Sequence, residues 1–81
     1  MGDIYPAKSS MQYFSGTGAN TVHFGRTINC LIITVTGTVQ VSLDNLNFLT
    51  IAAGTHQLSP FPVQILYLQG GGTYEGYGVA V

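Results

Sequence analysis

From Thr21 onward, apolar residues recur at every second position, the spacing that sets alternate side chains on one face of a β-strand. Val39-Gln40-Val41-Ser42-Leu43-Asp44 shows this most cleanly, predicting a buried face of Val39, Val41 and Leu43 and an outer face of Gln40, Ser42 and Asp44. Upstream, Ile28 to Thr36 is rich in β-branched residues and apolar on both faces in its middle, as a central strand is. Thr36-Gly37-Thr38 turns between the two runs and predicts that they pair as a hairpin. Shorter β-patterned runs follow at Phe48 to Ile51, His56 to Leu58, Val63 to Leu68 and Thr73 to Val81. The breaks fall at Asp44-Asn45-Leu46-Asn47, Ala52 to Thr55, Ser59-Pro60-Phe61-Pro62 and Gly70-Gly71-Gly72. Many short strands, turn signals between them and no apolar repeat at helical spacing predict an all-β fold. The expected form is a small antiparallel β-sandwich or jelly-roll-like barrel.

Residues 1–20 follow another pattern. Pro6, Ser9, Ser10, Ser15, Gly16, Gly18 and Asn20 interrupt any period, while Ile4, Tyr5, Met11, Tyr13 and Phe14 supply isolated apolar anchors. Ordering such a segment alone costs roughly 1–2 kcal/mol per residue in backbone entropy, which docked aromatic rings can offset. The division expected is an extended N-terminal arm over 1–20 and a β-domain over 21–81, the competing arrangement being a first strand tucked onto the same domain. Candidate interface residues are Ile4, Tyr5, Met11, Tyr13 and Phe14 in the arm. In the domain they are Phe61, Tyr74 and Tyr77.

Charge alters the picture. Asp3, Lys8, Arg26, Asp44 and Glu75 are the charged residues, 6% of the chain, against about 25% in an ordinary globular domain. A surface so poor in charge is weakly protected against association. The chain is short, its core is marginal, and Cys30 as sole cysteine excludes an intrachain disulfide. Both facts point to a subunit covered by partners, with a neutral secreted β-domain as the alternative. Two basic residues cannot form the positive stripe that nucleic acid requires, and no apolar run reaches the length of a membrane helix. The first residues match neither a signal peptide nor a myristoylation site, so synthesis in a cytoplasm is expected.

The residues that carry chemistry are few. His23, His56, Asp3, Asp44 and Glu75 could be combined with a serine on paper, yet no G-x-S-x-G elbow marks a nucleophile, and no enzymatic activity is expected. Cys30 has no partner cysteine and the histidines lack ligand spacing, so no metal or cofactor is expected. Asp44, Asn45 and Asn47 read as turn residues rather than calcium ligands. Tyr5, Tyr13, Tyr67, Tyr74 and Tyr77 could form a sugar-binding platform. Packing in core and interface explains them more simply, because Trp is absent and acids or amides do not cluster beside them.

Val39 to Phe48, Ala53-Gly54-Thr55, Phe61 to Leu68 and Gly72-Thr73-Tyr74-Glu75-Gly76-Tyr77-Gly78 together resemble the small virion proteins of tailed bacteriophages, in particular capsid cement or decoration proteins. The resemblance implies a non-catalytic subunit of the phage head surface, forming a homotrimer and bound to the major capsid protein. Residues 1–38 lie outside it. A carbohydrate-binding or receptor-binding β-module of a phage tail or secreted protein is the other reading.

Overall fold

Eight strands and no helix make up residues 2–7, 11–59 and 62–80, the part of the chain that the structure, a computed structural model, describes. They are β1 (Gly2–Ile4), β2 (Met11–Thr17), β3 (Asn20–Thr36), β4 (Val39–Ser42), β5 (Leu49–Ile51), β6 (Gly54–Leu58), β7 (Val63–Gln69) and β8 (Thr73–Ala80). The all-β expectation is met. One continuous sheet runs β2-β8-β3-β7-β4-β5, with β1 and β6 also paired to β3. All pairings are antiparallel except β1 with β3.

β3 explains how one sheet closes around a core. Its first part, Asn20 to His23, pairs with β7, and its second, Cys30 to Thr36, pairs with β8. β1 lies along the first part and β6 along the second. The strand therefore belongs to two half-sheets and crosses from one to the other, as strands do at the corners of a β-sandwich. A register shift between Ile28 and Cys30 makes this work. Before it the buried residues are Val22, Phe24 and Ile28; after it they are Leu31, Ile33 and Val35. The extra residue of a bulge reverses which parity faces inward, and so keeps both halves aimed at one core. At the crossing, Gly25 donates its N–H to the buried Oε1 of Gln12 at 2.9 Å.

Several expectations change. Ile28 to Thr36 and Val39 to Asp44 do not pair: β8 takes the place beside the second half of β3, and β4 pairs with β5 and β7. Gly72 lies against the turn between the two runs, donating to the Thr38 carbonyl at 3.1 Å, and a side chain there would collide with the backbone of Thr36 and Thr38. β4 also stops at Ser42, which is buried, while Leu43 turns outward. Nor do residues 1–20 form a projecting arm, as far as they are described. β2 pairs with β8 over seven residues from Met11 to Thr17, and β1 pairs with β3. The radius of gyration, 11.1 Å, is that of a closed globule of this length, about 12 Å.

Candidate functional site

Register builds a distinct face on the half-sheet β2-β8-β3. Tyr13 pairs with Tyr77 and Tyr77 with Ile32; one row along, Ser15 pairs with Glu75 and Glu75 with Thr34. Their inward neighbours Phe14 and Ile33 are core residues, so these six side chains stand on the outer face. The Tyr13 and Tyr77 rings meet with centroids 5.5 Å apart and planes tilted by 48°. The segment Ile4 to Ala7 forms a wall beside them, giving an open groove of about 640 Å³. Among its described lining residues, Glu75 alone is charged at neutral pH.

The wall is held by His23. Tyr5 stacks on the imidazole at 4.6 Å with planes 9° apart, and Asp3 Oδ1 lies 3.0 Å from His23 Nε2. This hydrogen-bonded pair fastens β1 to β3 and leaves the outward side of Tyr5 on the groove. His56 Nε2 is engaged elsewhere, by the Ala52 carbonyl at 2.8 Å. No three His, Cys, Asp or Glu side chains gather as a metal site among the described residues.

Of the interface candidates, Tyr5 (72% exposed) and Tyr13 (64%) face out, as do Met11 and the half-buried Tyr77. Ile4 packs partly against the core. Phe14 and Tyr74 are corrections: both are buried in the chain's own core, with Phe14 edge-on to Phe24 at 5.8 Å. Tyr74 is there because alternation along β8 turns it opposite to Glu75, and its hydroxyl finds partners inside. It donates to the Gly18 carbonyl at 3.0 Å and accepts from Asn20 Nδ2 at 2.6 Å. Burial raises its pKa. Phe61 lies outside the described residues.

Exposed leucines form a second surface. Between β4 and β5, Leu46 is 82% exposed, flanked by the exposed Leu43 and Leu49. The loop is tied by its own polar side chains: Asp44 Oδ1 accepts from the N–H groups of Leu46 and Asn47, each at 2.9 Å, and Asp44 Oδ2 accepts from Asn47 Nδ2 at 3.0 Å. Ser42 Oγ donates to Asp44 and accepts the Asn45 N–H at 2.9 Å. These bonds hold the Asp44 carboxyl far below the usual carboxylate range, the Asn47 and Leu46 N–H groups contributing most. Asn45 adopts φ 61°, a conformation that Asn tolerates. The Asx turn was legible at Asp44; that it would display a leucine was not.

The accessible surface, 4451 Å², is close to the roughly 4,700 Å² of a compact monomer of this mass. The chain thus closes its own core; among the described residues, Tyr5 and Tyr13 at the groove and Leu43, Leu46 and Leu49 in the loop make up most of the exposed large apolar side chains, with Met11 and Ile65 outside both. The chain matches no protein-family model, no curated protein and no solved structure.

Proposed function

We propose that this chain is a non-enzymatic structural subunit that associates with its own copies and docks on a larger protein shell. A tailed-phage head is the setting implied by its resemblance to capsid decoration proteins. The observation that carries the reading is Leu46, held 82% exposed on a loop whose backbone is fixed by Asp44 and Ser42. A fully solvated leucine in a fixed loop offers a partner an apolar anchor whose ordering cost is already met in the free subunit. Burying such a side chain contributes about 1.5–3 kcal/mol, and Leu43 and Leu49 extend the contact.

Two further features support it. β5, next to this loop, has β4 as its single strand neighbour among the described residues, so its other edge faces no described strand and offers a place for pairing. The surface offers little charge to oppose approach: two basic and three acidic residues in 81. A closed ring of subunits, three in the proteins it resembles, would cover both the leucines and the edge.

Sedimentation velocity of the wild type and of Leu46→Asp tests the reading. The wild type should sediment as an oligomer at micromolar concentration and the variant as a smaller species with unchanged circular dichroism. Identical sedimentation of the two would remove the loop from any interface.

A further inference from the structure

We infer that the groove over β2, β8 and β3 is a binding site for a neutral oligosaccharide, with Tyr13 and Tyr77 as the stacking platform and Glu75 as the acceptor of sugar hydroxyls. The inference goes beyond the assembly role and does not depend on it. The sequence argued against a sugar platform because the tyrosines had no polar company. The sheet supplies that company: Glu75 stands two residues from Tyr77 on the same strand and face, flanked in register by Ser15 and Thr34.

The geometry selects the ligand. Two rings 5.5 Å apart are in contact with each other, leaving no space between them for a cation to enter as it would an aromatic cage. With planes tilted by 48°, they present an angled aromatic surface. Such a surface attracts the C–H groups of a pyranose face, which carry partial positive charge, to the negative faces of the rings. Side chains two apart along a strand are separated by about 6.8 Å, so a sugar stacked on Tyr77 points its edge hydroxyls at the Glu75 carboxylate. Ser15 and Thr34 add hydroxyls that both donate and accept. Among the described lining residues the one acid or base is Glu75, whose carboxylate would repel an anionic glycan. The volume of about 640 Å³ lies within the roughly 300–1,000 Å³ of small-molecule clefts, and Tyr5 at the open wall can meet a second sugar unit.

The test is titration of the ¹⁵N-labelled 81-residue chain, followed by amide chemical shifts, with four neutral pentasaccharides of β-glucose, α-glucose, α-mannose and N-acetylglucosamine. At least one should shift the amides of Tyr13, Glu75 and Tyr77 in a saturable manner. Tyr13→Ala, an exposed position, and Glu75→Gln should each weaken that binding about tenfold or more, the size of one lost stack or one charge-assisted hydrogen bond. Both variants should keep the wild-type pattern of core amides. Tyr67→Phe, outside the groove, and Leu46→Asp should bind as the wild type does, which separates this site from the assembly surface. The inference is overturned if no pentasaccharide shifts the groove residues, or if the shifts survive Tyr13→Ala and Glu75→Gln. It is equally overturned if sugars are silent and Tyr13→Ala converts an oligomer to a monomer, since the groove would then be a contact between copies.

Discussion

The carboxylate of Asp44 accepts the backbone N–H of Leu46 at 2.9 Å, and the leucine so fixed is 82% exposed. A polar side chain is spent on holding an apolar one in water. In Asp44→Ala the amides of Leu46 and Asn47 lose their acceptor. Their hydrogen exchange should accelerate several-fold while core amides are unaffected, and self-association should weaken. Unchanged exchange at both positions would show that the loop does not need the carboxylate.

The same carboxylate sets a pH dependence. Its pKa is depressed in the folded protein relative to the ordinary 3.8, so the ionised form is favoured by folding. Its contribution is complete above 3.8 and is lost only as the pH falls through the lower, folded-state value. The Asp44 side-chain carboxyl carbon, followed by NMR, should therefore show no titration between pH 7 and its ordinary value. A midpoint near 3.8 would mean that the hydrogen bonds to Asn47 and Leu46 are not formed in solution.

Tyr74→Phe removes the donor to the Gly18 carbonyl and the acceptor for Asn20 Nδ2. Asn20 keeps its bond to the Thr17 carbonyl, so the loss is centred on the turn between β2 and β3. A cost of about 1 kcal/mol corresponds to a fall in Tm of about 4–8 °C for a domain of this size. Thermal denaturation measures it, and a stability equal to wild type would contradict the placement of this hydroxyl.

Two glycines of the β7–β8 region should respond oppositely to alanine. At Gly76 a Cβ would run into the Ile32 carbonyl oxygen and lie 2.9 Å from Ile33 Cα, both backbone atoms of the paired strand. At Gly71 it would meet nothing within 4 Å. Gly76→Ala should cost more than about 3 kcal/mol, since backbone must move. Gly71→Ala should be within about 0.5 kcal/mol of wild type. Chemical denaturation of the two variants decides the matter.

Much of the strand content was legible from alternation alone, because period-two patterning reports local geometry. Val39 and Val41, Leu66 and Leu68, and the outward Glu75 follow it, while Val63 and the exposed Ile65 do not. Partner choice was not legible: the Ile28 to Thr36 run turns at Gly37 as a hairpin would, yet its neighbours are β8 and β6, strands that lie far along the chain and whose pairing local alternation does not report. β2 was legible only as the competing possibility of a first strand on the same domain, because Gln12, a polar residue, occupies an inward position, where its Oε1 accepts the Gly25 N–H. The groove was invisible for a related reason. Tyr13 and Tyr77 are 64 residues apart, and only the β2–β8 register places them side by side.

Absolute molar mass in solution, measured by light scattering on the 81-residue chain from low to high micromolar concentration, tests the assembly role most directly. A mass that is an integral multiple of 8.6 kDa, falling to one subunit in Leu46→Asp, is the predicted result. A wild-type mass of 8.6 kDa across the whole range would contradict it.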